Sequence, residues 1–402
     1  MKKKDGLLKG ASAFLVINYV SAGFSFIILV VNGKILSAED YGIIGLAMVL
    51  VSILESFKQL GFKEYLIAIK SVSSNDEDNA WSIDLVKALA LSMILFFSSG
   101  AISSYYDEPK LKFVVLCFSV IFVLEGLSSP KIYQLRKHLK YKELIKFNLY
   151  GNLIYLIGSI SLVYLFESYI GVVFAYLLKG FSNFILSYIY CPCIPRFFIS
   201  SDLTKKQIKF GVWIFASSIV FYITNRFDAF VLSTKVDIIS LGYYSFAYAL
   251  VNGLVSQPAK SFNNALFPLL SKGLVSSNPT RIFLLLLIAS FFIGLALHFI
   301  IPFVLIYVID KKWEVAIPCI QILIFAFLVN GLKFDSYFMA NGKTKLKFII
   351  ELSKGIAFLS IVFPLVDKFG IEGAAMSILI SNLFSLFVWL LVMRNINVSK
   401  NI

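Results

Sequence analysis

Residues 14–54 read FLVINYVSAGFSFIILVVNGKILSAEDYGIIGLAMVLVSIL. Two apolar runs flank a short polar turn, Lys34–Gly42, which holds a Lys, a Ser, two carboxylates, a Tyr and a Gly. A helix of about 20 residues, rising 1.5 Å per residue, crosses a hydrocarbon layer about 30 Å thick. The first run has that length, and the turn after it marks where the chain surfaces and goes back down.

The rest of the chain repeats this pattern. Its 402 residues are 59% hydrophobic and 15% charged, with a mean hydropathy of +0.84, more apolar surface than one soluble core can bury. Twelve apolar blocks are expected as spans, at about 10–33, 42–62, 80–102, 111–132, 146–166, 168–190, 208–233, 240–264, 282–308, 315–339, 346–366 and 370–393. The blocks are continuously apolar, which excludes the alternating strands of a β-barrel. Gaps between them are too short to hold a catalytic domain. The first block is longer than a signal peptide and lacks a clear small-residue cleavage site, so it reads as a transmembrane helix.

Short loops rich in Lys and Arg stay on the cytoplasmic side. With the N-terminus inside, the inner segments carry most of the 37 Lys and Arg residues, whereas the outer loops hold Lys34, Lys110, Lys112, Lys235, Lys311, Lys312 and Lys368 mixed with acids. Both termini are therefore expected in the cytoplasm of a cytoplasmic-membrane protein. The net charge of +14 is spread over many segments, a distribution that fits anionic lipid contact and gives no nucleic-acid face.

The turn has a counterpart. LSAEDYGIIGLAMVLVSIL (36–54) laid over TKVDIISLGYYSFAYALVNGL (234–254) puts Gly42 on Gly242 and Ala47 on Ala247. Further along, IGVVFAYLLKGFSNFI (170–185) and GIEGAAMSILISNLF (370–384) match Ala175 to Ala374 and Ser182-Asn183 to Ser381-Asn382. The expectation is an all-α membrane protein of two parallel six-helix repeats, 1–195 and 196–402, around a central cavity. Recurring Gly and Ala in any helical membrane protein offer a plainer account of the match.

The same stretches carry a resemblance. GKILSAEDYGIIGLAMVLVSILESFKQLGFKEYLIAI (33–69), NRFDAFVLSTKVDIISLGYYSFAYAL (225–250) and the FGIEGAAMSILISNLF segment resemble the polysaccharide transporters of the multidrug/oligosaccharidyl-lipid/polysaccharide exporter superfamily. The resemblance implies an alternating-access flippase. Its cargo would be undecaprenyl-pyrophosphate-linked oligosaccharide repeat units for O-antigen, capsule or exopolysaccharide, moved from the cytoplasmic to the outer leaflet. A drug or cation antiporter of the same superfamily and a membrane glycan polymerase or ligase are the competing readings. Neither HExxH nor GxSxG occurs and His138 and His298 are isolated, so the chain is not expected to be an enzyme and no cofactor is implied. A monomer is expected, with polysaccharide polymerase machinery as the protein partner to test.

A pyrophosphate must be shielded from hydrocarbon by cations facing a cavity. Lys179, Arg226, Lys87, Lys354, Lys333 and Lys260 lie inside or at the ends of spans. Lys179 has no acid within a helical turn on its own span, which makes it the first candidate for phosphate contact. Lys58, Lys260 and Lys333 are also placed to snorkel to the cytoplasmic interface. Lys87 with Asp84, and Lys354 with Glu351, are three apart and suited to pair with each other. Arg226 and Asp228 are two apart and point to different faces. Asp228, Glu55 and Glu125 are candidates for a coupling ion, with a Glu55–Lys58 pair as the alternative for Glu55. Tyr243, Tyr244 and Tyr248 are candidates for glycan contact, Pro258 and Pro302 for bending points. The four Cys (Cys117, Cys191, Cys193, Cys319) scatter, which reads as ordinary thiols rather than a metal site.

Overall fold

The computed structural model describes residues 2–58, 60–69, 71–138, 140–259, 263, 279–334, 337–338 and 344–398, with side chains for these except 2–18, 213, 217, 224, 279–280, 344 and 395–398. Among the described residues the regular structure is helical throughout: α1 (Lys2–Ile35), α2 (Ala38–Lys58), α3 (Phe62–Ala68), α4 (Ser74–Tyr105), α5 (Pro109–Gly126), α6 (Tyr133–Lys137), α7 (Tyr141–Phe166), α8 (Tyr169–Tyr190), α9 (Ser201–Ser233), α10 (Ile238–Val251), α11 (Pro279–Phe303), α12 (Ile317–Gly331) and α13 (Thr344–Val398).

By length and composition, eight of the described helices can cross a membrane, or ten if two bent pairs each count as one span. The sequence led to twelve. α13 accounts for part of the difference, because it is interrupted at Gly370, where φ is 55° and ψ −127°. That left-handed φ is cheap for glycine and costly for any side chain, so the boundary expected between blocks 346–366 and 370–393 falls on a residue able to make it. The helices are apolar outward as well as inward. In the apolar stretch of 18 residues within Arg281–Ile309, 11% of the residues are buried, the pattern of a helix facing lipid.

Pro258 and Pro302 both sit beside widened turns. A wide turn spans Asn252–Ser256, where the Gln257 N–H bonds back to Asn252, and another spans Val304–Ile309. Proline deletes a helical N–H, and a single wide turn is one way the ladder absorbs the loss.

The turn that opened the sequence reading is built from its own polar residues. Ser37 N–H donates to Asp40 Oδ2 (3.0 Å) and Asp40 N–H donates to Ser37 Oγ (3.1 Å), a reciprocal cap on α2. Two hundred residues later, the Ser240 N–H donates to Asp237 Oδ1 (2.6 Å) to cap α10, with the acid and hydroxyl positions exchanged. The two helices then meet. A Cβ on Gly42 would stand 2.0 Å from the Ile238 carbonyl oxygen, and one on Gly242 would stand 1.7 Å from the Ala38 carbonyl oxygen. The two glycines matched in the sequence comparison therefore lie at one crossing of α2 and α10, each letting the partner backbone in.

The chain divides into two compact units, Met1–Ile28 with Ala47–Tyr222, and Leu29–Leu46 with Ile223–Ile402. In the first, α4 and α5 form one hairpin and α7 and α8 another, with α5 against α8. Their turns use Asp107 (φ 50°) and Glu167 (φ 46°). Asn152 of α7 donates to Ser21 Oγ of α1 (2.8 Å), and Ser218 of α9 donates to the Ser56 carbonyl of α2 (2.9 Å). In the second unit α12 packs on α13, where Asn382 Nδ2 donates to the Ala326 carbonyl (2.9 Å). Trp313, fully buried, stacks on Phe246 with ring centroids 3.9 Å apart and donates Nε1–H to the Gly33 carbonyl (2.8 Å).

Candidate functional site

Charged groups inside long apolar helices require partners, because hydrocarbon offers none. In the first unit they gather where α2 ends. Lys58, the last residue of α2, forms an ion pair with Glu125 near the end of α5. Lys87 of α4 pairs with Asp84 (2.7 Å) and donates a second hydrogen bond to the Lys58 carbonyl (2.7 Å). These two ion pairs are therefore joined through the backbone of one residue. The Phe62 ring lies under Lys87 at 5.0 Å and the Phe122 ring under Lys58 at 5.8 Å, so each ammonium has an aromatic face as well as an acid.

A cavity of about 120 Å³ opens among these groups, lined by Lys58, Gly61, Phe62, Lys63, Glu64, Asp84, Ala88, Glu125 and Gly126. That is room for several waters or a small charged group. Lys179 lies half-buried midway along α8. Its ammonium rests 4.5 Å above the Tyr155 ring, itself 5.3 Å from the Tyr176 ring, and it feels the charge of Glu125. Of the residues singled out from the sequence, the fold thus brings Lys58, Lys87, Glu125 and Lys179 into one unit, with Lys58 joined to both Lys87 and Glu125. Glu55 is exposed. Lys58, considered from the sequence as a partner for Glu55, pairs across helices with Glu125.

In the second unit Arg226 and Asp228 do reach different partners, one turn apart on α10. Asp228 is 1% exposed and accepts a hydrogen bond from the Tyr244 hydroxyl. The Arg226 guanidinium stands 4.9 Å over the Tyr248 ring, and the Tyr248 hydroxyl donates to the Asn225 carbonyl (2.8 Å). Tyr244 is consequently a buried partner of Asp228 rather than a free glycan-facing side chain, while Tyr243 packs edge-on against Trp313.

Farther along, Lys333 is 4% exposed and donates to Ser385 Oγ (2.8 Å). Snorkelling, expected from its place near a span end, gives way to this inward bond. Lys354 is 2% exposed, and Glu351 feels the charges of Lys333, Lys354 and Lys347. Lys260 and Asp335 lie outside the described residues. Among the described residues no group of His, Cys, Asp and Glu could hold a metal ion. Cys191 and Cys193 are placed around Ser129, whose hydroxyl donates to the Cys191 carbonyl (2.7 Å).

The Lys58–Glu125 pair is half in solvent, with side chains 32% and 40% exposed. Its coupling, measured by a double-mutant cycle of Lys58→Gln and Glu125→Gln on the thermal unfolding of the purified protein, is expected at about 0.5 kcal/mol. Coupling indistinguishable from zero would mean that the pair is incidental to the site.

A family model described as "Polysaccharide biosynthesis protein" matches residues 33–275. Among curated proteins, the chain is 21% identical over 298 residues to the teichuronic acid biosynthesis protein TuaB of Bacillus subtilis (strain 168), covering 72% of this chain and 62% of that one. It is 20% identical over 371 residues to the lipopolysaccharide biosynthesis protein WzxC of Escherichia coli (strain K12), covering 89% of this chain and 75% of that one. The chain thus spans less than two thirds of the Bacillus relative's length. Solved structures share the fold. An inward-facing multidrug resistance MATE family transporter of the MOP superfamily superposes with a TM-score of 0.72 at 15% identity, over 97% of this chain and 99% of that one. The inward closed conformation of the lipid II flippase MurJ gives 0.66 at 16% identity, over 94% and 87%. With the family match running from the end of α1 through α10, across the capped turns and the paired glycines, the chain belongs to the polysaccharide biosynthesis protein family.

Proposed function

We propose that this chain is a flippase. It moves polyprenyl-pyrophosphate-linked oligosaccharide repeat units from the cytoplasmic to the outer leaflet of the cytoplasmic membrane, by alternating access, for surface polysaccharide synthesis. The observation that carries the reading is Lys179, a cation halfway along an apolar helix, resting on a tyrosine ring. A lysine at that depth is costly unless it serves an anion, and a diphosphate is the anion that a lipid-linked glycan supplies. Relatives named for lipopolysaccharide and teichuronic acid synthesis, and a flippase sharing the fold, support it.

In this reading Lys179, Lys87 and Arg226 hold phosphate oxygens, with Lys333, Lys354 and Lys260 as further cations for the cargo. Glu125 releases a lysine when phosphate arrives, and Asp228, Glu55 and Glu125 are the groups available to carry a coupling ion. The break at Gly370 separates two crossings, and α1 adds another. That gives twelve in two six-helix repeats, 1–195 and 196–402, with both termini cytoplasmic and the protein acting as a monomer. If an ion drives the cycle, amide substitutions at Glu55, Glu125 and Asp228 together lower export at least tenfold; undiminished export would remove these carboxylates from coupling.

Mass spectrometry of the polyprenyl-lipid fraction from cells lacking the gene tests the whole reading. Accumulation of one pyrophosphate-linked oligosaccharide, with loss of surface glycan and recovery on re-expression, is expected and names the substrate. An unchanged lipid pool with normal surface glycan, in a strain with no second flippase, would favour the antiporter.

A further inference from the structure

The residues joining α8 to α9, CPCIPRFFIS (191–200), form no helix, yet their backbone is held. The Arg196 N–H donates to Asp78 Oδ1 (3.2 Å), the Phe198 N–H to Ser82 Oγ (2.8 Å) and the Ser200 N–H to Asn79 Oδ1 (2.7 Å). Alternate N–H groups of an extended chain point to one side, so three side chains from the start of α4 grip a single edge of the segment. Asn79 and Ser82 are fully buried, and Asn79 also donates to Gln207 of α9 (3.0 Å). All of these groups belong to the first unit.

What this fixed backbone presents outward is apolar. Ile194 is 93% exposed, Phe197 65% and Ile199 51%. A flexible loop can fold such side chains inward, whereas a backbone clamped at alternate residues cannot, and an exposed apolar patch marks a contact surface. Basic side chains border it: Arg196, Lys205, Lys206 and Lys209 are exposed, against one exposed acid, Asp202.

The depth of the segment follows from α4. Its 32 residues span about 48 Å, some 18 Å more than the hydrocarbon layer. The charged part of the helix is its N-terminal end, Ser74–Asn79; an apolar stretch runs from Ala88 through Phe97, and the uncharged Ser98–Tyr105 closes the helix. The gripping residues Asp78, Asn79 and Ser82 therefore fall at the headgroup level of the N-terminal side, beside Trp81, a residue type concentrated at that depth.

We infer that residues 191–200 are an interfacial strap that docks on anionic phospholipid. Ile194, Phe197 and Ile199 enter the acyl boundary, and Arg196, Lys205, Lys206 and Lys209 face lipid phosphates. An amphipathic element with this charge and apolar content binds such a surface through both terms. The strap ties the start of α9 to α4 and to the leaflet, and it does so whatever cargo the protein carries.

Photo-crosslinking in native membranes tests this. The full chain carries p-benzoylphenylalanine in place of Phe197 and, in a second variant, of Ile199. Irradiation is expected to give phospholipid adducts at both positions. A protein adduct would assign the surface to a protein partner, and no adduct at either position would place the strap in water; each result overturns the inference. Neutralising Arg196, Lys205, Lys206 and Lys209 to Gln lowers the retention of phosphatidylglycerol over phosphatidylcholine on the purified protein, about five-fold for each charge. An unchanged preference would overturn the anionic assignment.

Discussion

Lys179→Gln is expected to cut export of the lipid-linked glycan by about 10- to 100-fold while the protein inserts and folds as before. A hydrogen bond between a charged donor and an anion contributes about 1.5–3 kcal/mol, and removing one from the translocating complex slows it by that range. The stability half of the prediction has its own cause. Lys179 is half-buried and its ammonium rests on the Tyr155 ring, a contact of about 1 kcal/mol, and neutralising it also lifts the desolvation of a charge at mid-helix. The measurement is surface glycan in a deletion strain, read beside the thermal unfolding midpoint. Lys179→Arg keeps the charge and retains most of the export. Wild-type export by Lys179→Gln would remove this lysine from contact with the cargo.

The same substitution at Lys333 or Lys354 reads differently. Both are almost fully buried, and Lys333 is bonded to Ser385. Losing one partner of a buried charged set leaves the other uncompensated, a large cost to folding. Lys179 is thus the cation at which transport and stability separate most cleanly.

How much of this was legible in the sequence depends on the range of each interaction. The helices follow from block length, and the caps on α2 and α10 from Ser37 to Asp40 and Asp237 to Ser240, all within one turn. The Asp84–Lys87 pair is also local, and spacing alone gave it. Lys58 and Glu125 are 67 positions apart, and no periodicity along one helix could join them. Their shared place near the ends of two apolar helices is the signal that could have suggested it. Trp313 with Gly33, 280 apart, left no trace in the sequence at all. The strap at 191–200 was visible only as a gap between two apolar blocks, because its grip comes from side chains on another helix.

The α2–α10 crossing lies between these extremes, and substitution there should have the largest effect on the fold. The repeat aligned Gly42 with Gly242, and the structure brings both to one crossing, each facing the carbonyl at the start of the other helix. Gly42→Ala and Gly242→Ala each place a Cβ about 2 Å from backbone oxygen, which no rotamer change relieves. The helices must part by more than 1 Å, at an expected cost of about 3 kcal/mol or more, seen as loss of folded protein in the membrane. Gly45 is an internal control. A Cβ there meets the side chain of Ser245, its Oγ at 2.0 Å and its Cβ at 2.9 Å, so Gly45→Ala alone should destabilise and Gly45→Ala with Ser245→Gly should recover. Recovery at 45 without any side-chain remedy at 42 is what backbone contact between α2 and α10 requires. If Gly42→Ala folds like the parent, the two helices do not approach this closely, and the repeat is a likeness of sequence without a shared crossing.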